Sequence, residues 1–269
     1  MEIQRQIKLL TEKYKIFPKD FLGQNYLINL EAINFIVRMI NPNKNNFYIE
    51  IGPGFLQLTK PVSEKAKQVI AIEKDKRFEI FYKQITKPNI TILFLDALDF
   101  DFKSLQVAEV YGNIPYYISS ELIIKIASSE NIKRAILLLQ EEYAKRILSK
   151  KDSKDYGAIT VLVDFFFNKK FIKTFPPNFF YPRPTINSSL IELTRKETYE
   201  GINVQNFLDF IRIAFGMRRK KLYNNLKRKF REEFIKDVMI NANIPLDARA
   251  ENLSVDQYIN LYSKIFDEK

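Results

Sequence analysis

The residues with the clearest chemical potential are Gly52, Gly54, Glu73, Asp96 and Asn113, and each follows an apolar run. Ile49-Glu50-Ile51-Gly52-Pro53-Gly54 is a strand end running into a glycine loop. Val69-Ile70-Ala71-Ile72-Glu73 is a second run closed by an acid, and Leu95-Asp96-Ala97 ends a third. In open α/β sheets, ligands sit beyond the carboxyl ends of the strands. Glycines let backbone come close to a ligand there, although a lone G-x-G serves a structural turn as readily. Glu73, about twenty residues past the loop, is placed to accept both hydroxyls of a ribose. The alternative is a solvated charge in the run Glu73-Lys74-Asp75-Lys76-Arg77. Asp96 suits an adenine amine, or caps a turn. Gly, Glu and Asp at three consecutive strand ends together point to a nucleotide-like cofactor.

The corner Asn113-Ile114-Pro115-Tyr116 suggests the acceptor of the reaction. An amide oxygen and the carbonyl held by Pro115 offer two acceptors to an exocyclic amine. Tyr116 offers a face on which a base stacks. An adenine amine is a poor nucleophile because its lone pair is delocalised into the ring. Two acceptors on its hydrogens favour a pyramidal, more reactive nitrogen. Against a methyl-sulfonium electrophile such a site needs orientation and charge placement, not a strong base or a metal. A plain proline turn is the other reading. In Phe180-Tyr181-Pro182-Arg183-Pro184, Phe180 is a candidate clamp for the second face of an extruded base, while Phe179 or Tyr181 serve equally as core aromatics.

These residues need a sheet to hold them. Strands are expected at 47–51, 68–72, 90–95, 107–111 and 135–139. Helices are expected at 30–40 (capped by Asn29), 57–66, 75–85, from about 119, and at 141–148. Residues 17–27 predict a loop. Two late runs, 159–167 and 189–194, read as strands that complete the sheet as an antiparallel hairpin at its edge. Strands alternating with helices imply a mostly parallel α/β sheet covered on both faces. After Lys196 only helices are expected, at 204–215, 218–230, 232–242 and 255–266. The predicted domains are therefore 1–195, carrying the site, and 196–269, helical. Residues 212–231 hold nine Lys or Arg and no acid. Arg218, Arg219, Lys220, Lys221, Lys227 and Arg228 are expected to meet RNA phosphates, with a solvated helix face as the alternative.

Composition narrows the chemistry. With 43 Lys+Arg against 32 Asp+Glu, the 269-residue chain carries +11 and should attract polyanions. It has no Cys and no His. Disulfides, thiolate zinc sites, His-dependent nucleophilic triads and methylation through a cysteine adduct are excluded. Residues 1–15 lack the apolar segment of a secretory signal, and no apolar run reaches the ~18 residues of a spanning helix. A soluble, cytoplasmic protein with no membrane partner is expected.

The chain resembles the rRNA adenine dimethyltransferases. Gly23-Gln24-Asn25-Tyr26-Leu27 is similar to their G-Q-N-F-L motif, and the Glu50–Gly54, Glu73, Asp96-Ala97, Asn113–Tyr116, Tyr156-Gly157 and Phe180-x-Pro182-x-Pro184 segments match later ones. The resemblance implies a Rossmann-like class I methyltransferase fold with a small helical C-terminal domain. It implies S-adenosylmethionine as cofactor, with Asn25, Leu27, Gly52, Gly54, Glu73, Asp96, Ala97 and Asn113 lining its pocket and no metal. It assigns Asn113, Ile114 and Tyr116 to the target amine and base, and Phe180 to stacking. Residues 214–222 and 249–254 resemble the housekeeping branch, which dimethylates two adjacent adenosines in the 3′-terminal hairpin of small-subunit (16S) rRNA. The implied partner is the immature small subunit, met by a monomer. Rival readings are a resistance-type enzyme on large-subunit rRNA, a non-catalytic RNA-binding assembly factor and, more remotely, a DNA adenine methyltransferase. Two positions depart from the family: Leu56, where another glycine is frequent, and Tyr117, where asparagine is common.

Overall fold

Five strands run parallel in one sheet: β2 (Phe47–Ile51), β3 (Gln68–Glu73), β4 (Ile90–Phe94), β5 (Ala108–Asn113) and β6 (Ile132–Gln140). The computed structural model describes residues 2–85, 87–197 and 202–266. Two further strands, β7 (Phe167–Phe175) and β9 (Ser188–Arg195), extend the sheet to the order β4-β3-β2-β5-β6-β9-β7, with β9 antiparallel to β6. A separate two-stranded ladder joins β1 (Tyr26–Leu27) to β8 (Phe180–Tyr181).

Register explains why the strand ends matter. Ile51 lies opposite Ile72 and Gly112, and Ile72 lies opposite Leu93. The residues that follow therefore emerge along one edge. From β2 the chain builds outward through β3 and β4, then returns to β2's other side with β5 and β6. That reversal is the switch point at which open α/β sheets leave a crevice.

Helix α2 (Leu30–Ile40) starts as expected at Asn29, whose side chain accepts from the Ala32 N–H at 2.9 Å. It buries Ile33, Ile36 and Ile40 against Tyr48, Val69, Tyr111 and Leu190 of the sheet. Each such side chain contributes roughly 1.5–3 kcal/mol by burial. Helices α3 (Thr59–Ser63), α4 (Glu79–Tyr82), α5 (Ser119–Ala127) and α6 (Glu141–Leu148) follow the strands. Helix α1 (Glu2–Tyr14), absent from the sequence expectation, packs Ile7 with Ile16, Phe55, Leu56 and Phe78 in a second cluster.

Three expectations are corrected. Residues 159–167 are not a strand: α7 (Ala158–Phe166) is a helix buried almost all round, which reads as a featureless apolar run. The Thr160 hydroxyl fixes its start, accepting from Gly157 N–H and donating to the Arg146 carbonyl. The real strand is the next segment, lysine-rich β7, which has no apolar run to betray it. The chain also divides differently. One compact unit is residues 1–144 with 169–195; the other is 145–168 with 196–269. The expected 195/196 boundary misses 145–168, which belongs with the helices.

The second unit holds α7, α8 (Val204–Ala214), α9 (Leu222–Leu226), α10 (Glu232–Asn241) and α11 (Val255–Phe266). The long helix expected over 218–230 shrinks to α9. Lys221 is extended and bridges Arg249, and Leu222 N–H donates to the Ala248 carbonyl, so Arg218 to Lys221 form a turn. The 249–254 segment is a staple: Tyr156 donates to the Leu253 carbonyl and Tyr258 to that of Ala250.

Candidate active site

A pocket of about 840 Å³, counting its open mouth, lies at the strand ends. Asn25, Leu27, Gly52, Gly54, Glu73, Asp96, Ala97 and Asn113 all line it. Gly52 and Gly54 adopt φ of 68° and 51°, a region costly for residues with a Cβ. A Cβ on Gly52 would meet nothing nearer than the Asn113 carbonyl at 3.9 Å, because it would project into the pocket. Leu56 also has positive φ, 67°, yet is 1% exposed in the aromatic cluster. Burial of its side chain offsets the left-handed strain of roughly 1–2 kcal/mol that glycine would avoid.

The acids have distinct states. Glu73 is 6% exposed, and its two oxygens accept from the Gly54 N–H at 3.2 Å and the Asp75 N–H at 2.9 Å. Desolvation pushes its carboxyl up to about 7. Glu50, missed as a site residue, lines the pocket from within β2; desolvation lifts it to about 7 although the Tyr111 hydroxyl donates to it at 2.7 Å. Its signal was an acid inside an otherwise apolar strand. Burial opposes ionisation of Asp96, but the Lys74 ammonium at 2.7 Å and the Leu98 N–H hold its carboxyl below its ordinary range. Asp96 is thus pocket wall and turn former at once. Lys74 also stands 5.3 Å from the Tyr117 ring centroid, and both line the pocket.

Asn113 is oriented by its own amide. Its Nδ2 donates to the Asn25 carbonyl at 2.7 Å, which leaves Oδ1 as the acceptor. Gly23, at φ 60°, brings the 17–27 loop onto Pro115, where an added Cβ would lie 3.4 Å from the proline ring. That loop is tied down by charge: Gln24 donates to Asp75 at 2.9 Å, and Arg77 holds Asp75 at 2.6 Å while donating to the Phe17 carbonyl.

The other three corner and clamp residues lie outside the pocket lining. Ile114 is 1% exposed, and its N–H donates to the Leu138 carbonyl, extending the sheet. Tyr116 is half-buried, and burial raises its phenol above the ordinary value. Phe180 corrects the stacking expectation: it is 3% exposed, paired in register with Leu27 and packed in the α2 core cluster. Its ring faces protein because β8 pairs with β1.

The Tyr26 hydroxyl is buried without a partner; burial, and then the Glu73 and Asp75 carboxylates, raise its phenol. An orphaned hydroxyl costs about 1–3 kcal/mol. Tyr26→Phe should therefore stabilise the protein by roughly 1 kcal/mol, read as a higher Tm; an unchanged or lower Tm contradicts the orphan assignment.

The lining fits S-adenosylmethionine. Three carboxyls, Glu50, Glu73 and Asp96, line the pocket, and the ligand offers donors and positive charge to such groups: two ribose hydroxyls, an adenine amine, an ammonium and a cationic sulfonium. Ribose hydroxyls require Glu73 ionised. Affinity for the product analogue S-adenosylhomocysteine should fall as pH drops below 7, by up to about tenfold per unit. The free protein behaves oppositely. Glu50 and Glu73 bind protons more tightly folded than unfolded, so their stabilising contribution is complete below about 4.5 and is lost as pH rises through about 7. Calorimetry in two buffers should show proton release on binding near pH 6.5; none contradicts this role for Glu73.

Comparison with known proteins agrees with this geometry. The family model described as ribosomal RNA adenine dimethylase matches residues 18–267. Ribosomal RNA small subunit methyltransferase A of Clostridium botulinum is 34% identical, covering 97% of this chain and 98% of that protein. Its counterpart in Mesoplasma florum is 33% identical, covering 93% and 99%. Among solved structures, a dimethyladenosine transferase from Plasmodium falciparum matches with TM-score 0.76 at 25% identity, covering 87% of this chain and 95% of that one. The 23S rRNA methyltransferase ErmE matches in fold, with TM-score 0.68 at 23% identity, covering 89% and 99%. With a parallel sheet, a strand-end pocket and a match over nearly its whole length, this chain belongs to the ribosomal RNA adenine dimethylase family, class I methyltransferases that use S-adenosylmethionine.

Proposed function

We propose that the protein transfers methyl groups to the exocyclic amines of two adjacent adenosines near the 3′ end of small-subunit rRNA, twice per base. The observation that carries the chemistry is the Asn113 amide, which lines the pocket and is anchored through Nδ2, leaving Oδ1 as its acceptor. S-adenosylmethionine supplies the electrophilic methyl. Asn113 Oδ1 and the Ile114 carbonyl hold the amine hydrogens and turn the nitrogen lone pair out of conjugation. Tyr116 supports the base. After one transfer a single N–H remains, and either acceptor still holds it for the second. No His is present to act as a base, and none is needed, because the acidified amine proton leaves to water.

The small-subunit preference rests on the relatives' names and on the second unit. Its turn exposes Arg218, Arg219, Lys220 and Lys221, with Arg228 beyond α9, and none of these five has an ion pair among the described residues. Lys227 differs: it pairs with Glu232 at 3.2 Å and covers the Tyr223 ring. We read the five as phosphate contacts, made by a cytoplasmic monomer on immature subunits. Neutralising Arg218 to Lys221 together should weaken RNA binding and reduce the salt slope by about 3; an unchanged slope returns them to solvent. Offering small and large subunits, both unmethylated, as methyl acceptors tests the assignment. Label entering the large subunit alone would make this a resistance-type enzyme.

A further inference from the structure

A second recess on the sheet-bearing unit combines cations with aromatic rings. It lies between α2 and β7, the edge strand, and is a solvent-open hollow of about 660 Å³. Arg38 of α2 and Lys173 of β7 both stand over the Phe35 ring, 5.8 and 5.0 Å from its centroid. Neither makes an ion pair among the described residues, and the single acid in the lining, Glu31, bonds neither. Two like charges gathered at one ring repel each other until an anion sits between them. Phe179 adds a second partly buried ring to the wall. Phe171, 53% exposed, lies on the same face of β7 as Lys173 and Phe175 and continues the row.

We propose that this recess seats an unstacked nucleotide of single-stranded RNA. Its phosphate lies between Arg38 and Lys173, and its base stacks on the Phe35–Phe179 wall. The placement suits a nucleotide flanking the target, and in that respect the proposal rests on the rRNA substrate reading. Leu27 lines the cofactor pocket, Phe179 lines the recess, and the β1–β8 ladder stands between them: Leu27 pairs with Phe180, and the Ile28 N–H donates to the Phe179 carbonyl at 2.8 Å. An RNA strand delivering a base to the pocket thus has a neighbour within reach of the recess. Lysines on an edge strand also guard against strand addition. That role asks nothing of Arg38 on a helix, nor of rings set beneath the charges.

The test uses the full chain and a short unstructured RNA oligonucleotide, with binding followed by fluorescence anisotropy over a range of salt. Arg38→Gln with Lys173→Gln replaces exposed side chains and should leave folding intact. It should weaken binding about tenfold and lower the salt slope by about 1.4. Phe35→Leu should weaken binding about fivefold at an unchanged slope. With rRNA as acceptor, KM should rise in both variants while kcat and S-adenosylhomocysteine affinity stay put. A folded double variant with unchanged affinity and slope overturns the site. Loss in the double variant alone, with Phe35→Leu silent, overturns base stacking. If the wild type methylates no rRNA yet both variants weaken oligonucleotide binding, the recess stands and the substrate reading falls.

Discussion

Asn113→Ala is expected to lower kcat for methyl transfer by about 100-fold or more while changing S-adenosylhomocysteine affinity only severalfold. The reasoning is geometric. Preorganised acceptors aimed at a reacting group are worth about 3 kcal/mol each, because they are fixed before the reaction begins. The Asn113 amide is such a group: the Asn25 carbonyl takes its Nδ2 at 2.7 Å, which leaves Oδ1 as the acceptor of a residue that lines the pocket. Alanine removes the acceptor. Cofactor contacts should survive, since Glu73 and Asp96 are held by their own partners, the Gly54 and Asp75 N–H groups for one and Lys74 with the Leu98 N–H for the other. Wild-type kcat in this variant would remove Asn113 from catalysis. Equal losses in kcat and cofactor affinity would make it a structural residue.

Gly112→Ala should be the most damaging substitution among the strand residues. A Cβ at Gly112 would lie 2.5 Å from the Ile51 carbonyl oxygen and 3.2 Å from its nitrogen. Both are backbone atoms of the central strand, so no side chain can move aside. β2 and β5 must part where they are in register, Ile51 opposite Gly112. A loss of roughly 3 kcal/mol is expected, a fall of about 6–12 °C in Tm. Asn113 follows directly, and a shift of even ~1 Å in its amide costs about 100-fold in rate. Thermal denaturation and single-turnover methylation measure the two effects. A variant as stable and active as wild type would show that the two strands tolerate separation there.

The parts of the site that the sequence disclosed are those fixed by register. An apolar run ending in Gly, Glu, Asp or Asn announces a strand end, and parallel pairing brings such ends to one edge. That is why Gly52, Glu73, Asp96 and Asn113 converge although each comes from a different strand end. What pairing does not dictate was hidden. The Gln24–Asp75–Arg77 clamp depends on a loop folding back, and Asp75 looked like one charge in a solvated run. Glu50 was legible only as an anomaly in an apolar strand. Phe180 was misjudged because a motif gives residue type but not facing; the two-residue ladder with Leu27 turns it into the core. Burial on all sides disguised α7 as a strand, and the lysines of an edge left β7 without the apolar pattern of a strand.

The central claim is that the strand-end pocket presents the exocyclic amine of adenosine, and not another atom, to the methyl donor. Unmethylated small-subunit rRNA should be incubated with the protein and labelled S-adenosylmethionine, digested to nucleosides and resolved by mass spectrometry. The account predicts N6,N6-dimethyladenosine at two adjacent positions, with N6-methyladenosine as the intermediate and Asn113→Ala suppressing both. Label on a ring nitrogen, on a ribose hydroxyl or on a base other than adenine would contradict it.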